Sequence, residues 1–185
     1  MTTPITQAER DFAIAHLHRT GTQLVEAVSG LSEAQLSFKP TPESWTIAQI
    51  TEHIVAAEVG VLQLAVGQVL KSPPGPDELR EKVQGKTDLV LKAVLDRGTK
   101  VQAPDRLVPQ GRFATINQTI KAFQQARQQT IAFVEQTQED LHGFFFPHPI
   151  FKELDVYQWM LFQGSHCERH TLQILEVKAA PGFPE

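Results

Sequence analysis

Cysteine is almost absent. Cys167 is the single one in 185 residues, which rules out an internal disulfide framework and fits a reducing, cytoplasmic setting. Long apolar runs are also lacking. No stretch approaches the ~18 uninterrupted apolar residues of a membrane span, and the first ten residues have neither the charged start nor the apolar centre of a signal peptide. Positive charge is in deficit: 17 Lys and Arg against 21 Asp and Glu leave a formal charge of −4, with no basic cluster to meet nucleic acid. Credible strand runs, internal repeats and a linker composition are missing too. These absences predict one soluble domain over 1–185, with neither a membrane nor a nucleic acid as partner.

Helical signals fill the chain instead. Thr6 and Glu9 form a capping-box pair ahead of Phe12, Ala15, Leu17, Leu24, Val25 and Val28, and Ser29-Gly30 stops that helix. His16 and His18 are two residues apart, point to different sides, and read as surface residues. Residues 31–44, with Pro40 and Pro42, read as a connection. Thr46 and Gln49 repeat the capping pattern and open a second helix over about 46–70, with Ile47, Ile50, Ile54, Ala57, Val61 and Leu64 as its buried stripe. The Pro-Pro-Gly-Pro run at 73–76 ends it. One or two short helices are expected at 77–83 and 87–96, and a loop at 98–113. Thr115 and Gln118 start a third long helix, expected to run to about Asp140. Residues 141–154, with Phe144, Phe145, Phe146 and Phe151 as an aromatic plug and a turn at His148-Pro149, lead into the last helix at 155–178. Four long helices with long loops and one or two short extra helices predict an all-α four-helix bundle.

Two features of this pattern bear chemistry. His166 and His170 stand four residues apart, one helical turn, on the side that also carries Trp159, Phe162, Gln173 and Val177. Two imidazoles so placed are either satisfied core histidines or a chelating pair for a transition metal, and burial among aromatics without a partner is costly. His53 flanks the buried stripe of the second helix and is the best third ligand. Such ligation would weaken as pH falls through the ordinary histidine value of about 6.5. Arg127 lies on the apolar side of the third helix between Phe123 and Ile131. It can pair with a carboxylate, or bind an anionic group of a substrate. Cys167, about 100° round the helix from His166, reads as packing, and Glu139-x-x-His142 alone does not make a di-iron centre.

Three passages together resemble the DinB-like (YfiT-like) superfamily of metal-binding four-helix bundles. These are Trp45-Thr-Ile-Ala-Gln-Ile-Thr-Glu-His53, then His148-Pro-Ile-Phe-Lys-Glu-Leu154 leading into Tyr157-Gln-Trp159, and finally His166-Cys-Glu-Arg-His-Thr-Leu-Gln173. The resemblance carries the family's three-histidine site onto His53, His166 and His170. It implies a divalent-metal enzyme acting on a small molecule, either a transferase that uses a low-molecular-weight thiol as co-substrate or a hydrolase, with a non-catalytic binding protein of the same fold as the alternative. Three imidazoles leave positions open on the ion, and zinc or nickel suits an all-nitrogen set. Leu161, Gly164, Leu172 and Leu175 form a second apolar patch opposite the histidines, from which a homodimer is expected.

Overall fold

The computed structural model describes residues 4–98 and 102–185. Three of the four long helices start where the caps predict, and the fourth starts at the expected place. Helix α1 spans Gln7–Val28, α3 Ile47–Gly67, α6 Ile116–Gln136 and α7 Val156–Lys178. Thr6 accepts from the Glu9 N–H while the Glu9 carboxylate accepts from the Thr6 N–H (2.7 Å), and Thr46 with Gln49 and Asp155 with Gln158 do the same. Thr115 caps α6 alone, because Gln118 turns its amide oxygen to the Ala114 N–H instead. Between them lie the short helices α2 (Glu33–Ser37), α4 (Asp77–Val83) and α5 (Lys86–Ala93). Helix α1 packs on α6 and α7, and α3 packs on the same two. The order round the bundle is therefore α1, α6, α3, α7, with α1 and α3 across the diagonal.

Several expectations need correction. The connection before α7 is a β-hairpin, with β1 at Phe145–His148 antiparallel to β2 at Lys152–Asp155 and Phe145 opposite Asp155. Phe146 and His148 turn inward while Pro147 faces out, the alternation of a short edge strand that tolerates proline. Helix α2 lies inside 31–44, capped by Ser32 with Gln35. Helices α3 and α6 end a few residues earlier than expected. On α1, Phe12 and Ala15 are exposed, whereas His16 is buried. Room for that ring comes from Gly164, where a Cβ would collide with it. Gly164 is thus covered by α1 of the same chain, Leu161 is fully buried, and only Leu172 and Leu175 of the predicted patch stay exposed. Ile47–Lys71 is long and apolar enough, by length and composition, to cross a membrane. Here it carries Glu52, His53 and Glu58 buried against its neighbours, as a core helix does.

The interior has two apolar ends. One gathers Leu17, Ala65, Val134, Trp159 and Met160 with the hairpin's Phe146, and the other Leu24, Ile50, Ile54, Phe123 and Ile174. Between them each long helix contributes polar side chains: Thr20 from α1, Glu58 from α3, Arg127 and Thr130 from α6, Gln163 from α7, all buried. Arg127 donates to both Glu58 oxygens (2.8 and 2.9 Å), to the Leu17 carbonyl (2.6 Å) and to the Thr20 hydroxyl (3.0 Å). It also stands over the Phe123 ring. The anion-binding role considered for Arg127 therefore gives way to the ion pair: the residue is only 4% exposed and its donors are engaged.

Candidate metal centre

Helices α3 and α7 are neighbours, so the flank of one faces the inward stripe of the other. His53 from α3 meets His166 and His170 from α7 there, and their ligand nitrogens all lie within 4.8 Å of one another. The Nε2 atoms of His53 and His170 each lie 3.2 Å from Nε2 of His166. Ligands at about 2.1 Å from a shared ion are roughly 3.0 to 3.4 Å apart for right-angled to tetrahedral arrangements, so two edges of the triangle have the spacing a metal imposes.

The far sides of the rings decide their protonation. Nδ1 of His53 faces the Leu107 carbonyl at 2.9 Å, and Nδ1 of His170 faces the Gln173 side-chain oxygen at 2.8 Å. Both acceptors require a proton on Nδ1, which leaves both Nε2 lone pairs turned inward. Nε2 of His166 can offer its two neighbours at most one proton. Three inward nitrogens therefore hold at least two lone pairs between them, an arrangement that repels itself and that a cation resolves. Burial keeps the rings neutral: His170 is pushed down to about 3 and His166 well below its usual range, with burial first and the neighbouring histidines next. For His53 burial lowers the value against the Leu107 hydrogen bond, which raises it. The donor set fits a divalent transition metal.

Supporting residues fix the walls. The Glu52 carboxylate, beside His53 on α3, accepts from the backbone N–H groups of Gln110, Gly111 and Arg112 (2.8, 3.0 and 3.2 Å) and from the Arg112 guanidinium (2.8 Å). That nest of N–H groups ties the 105–112 loop down and so holds the Leu107 carbonyl against His53. Gly111 supplies the left-handed turn it needs (φ 73°). Trp45 covers His53 at 5.1 Å between ring centroids, and Phe162 lies against His166 at 5.2 Å. Sequence reasoning missed Glu52, because at 100° per residue it lies on the side of α3 opposite the apolar stripe, where an acidic residue reads as solvated. The Leu107 carbonyl had no signal in the sequence. Glu58 and Glu168 stand apart, paired with Arg127 and Arg19. Cys167 is fully buried on α7, its Sγ 3.5 Å from the Thr20 carbonyl, and burial pushes its thiol up to about 11.

Comparison with known proteins adds a family to this geometry. The family model of the DinB superfamily matches residues 16–174. The uncharacterized protein YuaE of Bacillus subtilis (strain 168) is 30% identical over 151 residues, which is 82% of this chain and 88% of that protein. Among solved structures, YfiT of Bacillus subtilis is described as a probable metal-dependent hydrolase with an unusual four-helix bundle topology. It superposes with a TM-score of 0.62 at 16% identity, over 97% of this chain and 91% of YfiT. TT2238, a four-helix bundle protein, superposes at 0.54 with 19% identity, over 90% of this chain and 98% of its own.

Proposed function

Since the chain belongs to the DinB superfamily, we propose that it is a metal-dependent enzyme acting on a small molecule, with His53, His166 and His170 holding one zinc or nickel ion. The observation that carries this is the proton count at the centre: three converging nitrogens, two of them fixed as lone pairs by Leu107 and Gln173. Bound there, such an ion supplies a Lewis acid that lowers the pKa of a coordinated water or thiol. The residues of the chain do the rest. Leu107 and Gln173 hold the rings in the ligating tautomer, and Trp45 and Phe162 limit water at two sides.

Hydrolysis is the first reaction in view, by analogy with the description of YfiT. Transfer to or from a low-molecular-weight thiol is the second, and one observation favours it. The nearest carboxylates in sequence, Glu52, Glu58 and Glu168, are tied to the 105–112 loop, to Arg127 and to Arg19. A thiol ionised at the centre needs no such base, whereas activated water commonly uses one. For partners the reading needs only the small molecule. A homodimer remains a proposal resting on Leu172 and Leu175.

Metal analysis of purified wild type and of His53→Ala, His166→Ala and His170→Ala tests the centre. One ion per chain is expected in wild type, and at least a tenfold loss of affinity in each variant. Stoichiometric metal at undiminished affinity in any variant removes that residue from the ligand set. Side-by-side assays of ester hydrolysis and of thiol addition to an electrophile then separate the two reactions.

A further inference from the structure

His148, at the end of β1, is buried to 7% exposure. Its Nδ1 accepts from the backbone N–H groups of Ile150 and Phe151 (3.1 and 3.2 Å). A nitrogen that accepts twice carries no proton, so the ring's proton sits on Nε2. Burial, with no opposing charge, pushes the ring down to about 4, so it is neutral at physiological pH. Phe151, Trp159 and Phe162 enclose the ring at centroid distances of 4.8, 5.0 and 4.6 Å. Within this cup Nε2–H has no hydrogen-bond partner among the described residues. Yet among the described residues every fully enclosed side-chain nitrogen and oxygen has one, so Nε2 is not sealed off from solvent. The turn alone does not explain the residue. An Asn or Asp would accept from the same two N–H groups in an ordinary Asx turn. Imidazole differs by carrying a donor on the far side of its ring.

The ring that carries this donor is one aromatic side chain away from the histidine centre. His148 packs on Phe162, and Phe162 packs on His166 one turn further along α7. His148 is near enough for its charge to oppose protonation of His166. We propose that the Nε2–H of His148 is a fixed hydrogen-bond donor for an oxygen of the small molecule bound at the histidine centre. The proposal rests on the metal-centre reading above. The class of ligand follows: a metal-binding atom at one end, and a carbonyl or carboxylate oxygen a few bonds away that reaches past Phe162.

The test uses full-length protein loaded with Co²⁺ and two probes, 3-mercaptopropionate and 1-propanethiol, with thiolate-to-cobalt absorbance read for binding. His148→Asn keeps an acceptor for Ile150 and Phe151 but loses the far donor. His148→Phe keeps the cup filled and also lacks the donor. In both variants 3-mercaptopropionate should bind at least about tenfold more weakly, as expected for a lost hydrogen bond to a charged oxygen, while 1-propanethiol binds as in wild type. Ring ¹⁵N spectra of the wild type should show His148 protonated on Nε2, with that signal shifting when 3-mercaptopropionate is added. Equal affinity for 3-mercaptopropionate in wild type and either variant overturns the proposal, as does a proton on Nδ1. Wild type that takes up no cobalt instead sinks the metal reading, and this inference with it. That outcome is distinct from stoichiometric cobalt with affinity indifferent to His148.

Discussion

Two buried polar clusters lie close together in the bundle and could hardly differ more. Five residues along α3 separate His53 from Glu58, and three along α7 separate Gln163 from His166. Around Arg127 the account closes: the guanidinium meets two carboxylate oxygens, a carbonyl and a hydroxyl. Around His166 it does not close, because the inward nitrogens have more lone pairs than protons. A buried polar group with every partner present is architecture. One whose partners are other lone pairs is a place for something the chain does not supply. The contrast explains why an inward arginine and an inward histidine pair, alike as polar residues on apolar stripes, part company in the fold.

Breaking the closed cluster should have the largest effect. Arg127→Ala leaves Glu58 buried without its partner and should cost about 3–5 kcal/mol, a large share of the ~5–15 kcal/mol that holds a domain together. Replacing both partners, Arg127→Met with Glu58→Leu, should recover most of that, because the penalty lies in the orphaned charge. Urea unfolding of the metal-free proteins measures both. In the same experiment His166→Ala should cost clearly less than Arg127→Ala, since it removes a nitrogen whose neighbours gain by its loss. If His166→Ala proved the more damaging, the histidine cluster would be structural and the contrast would fail.

Acid sharpens the comparison. Burial lowers His16 and His148 to about 4 and His170 to about 3, below the unfolded value near 6.5. Below pH 6.5 the unfolded chain therefore binds more protons than the folded one, and stability should fall as pH drops from there through those lower values. His142 runs the other way. Hydrogen-bonded first to Asp155 and also facing Glu9, it is raised, so its contribution is complete below 6.5 and lost as pH rises through its folded value. For the metal centre the direction moves the expected release to lower pH than the ordinary histidine value. Ligands that resist protonation should retain the ion below pH 6.5, not release it there. Bound metal and circular dichroism recorded together across pH 7 to 3 check this. Release as the pH falls through about 6.5, from protein that stays folded, would contradict it.

What could be read from the sequence follows the same division. Caps and stripes are local, so Thr6, Thr46 and Thr115 marked three of the long helices, and the apolar stripe with its histidines marked the fourth. The histidines were readable because four-residue spacing on one helix is local as well. The hairpin was not, since two four-residue strands, one containing Pro147, carry too little alternation to stand out. Helix α2 did announce itself through Ser32 and Gln35, but five residues give no periodicity to support a cap. The burial of His16 depends on the gap left by Gly164 from the far end of the chain. The tautomer of His53 depends on a backbone carbonyl, which has no residue signature at all.

Cys167 gives the smallest expected effect and the finest test of which cluster a residue belongs to. In sequence it adjoins His166; in space it belongs with the closed cluster. Its thiol approaches the Thr20 carbonyl, and its raised value, about 11, comes first from burial, with Arg127 opposing. A serine hydroxyl can donate to the same carbonyl, so Cys167→Ser should change stability by about 1 kcal/mol or less and leave metal content untouched. The wild-type thiol should also be inert. A rise from 9.0 to about 11 leaves on the order of a hundredfold less thiolate at neutral pH, and burial blocks access besides. Iodoacetamide labelling of native protein should therefore be slower than that of free cysteine by at least that factor, and become fast only on unfolding. Rapid labelling of folded protein, or loss of metal in Cys167→Ser, would move this residue from the closed cluster to the open one.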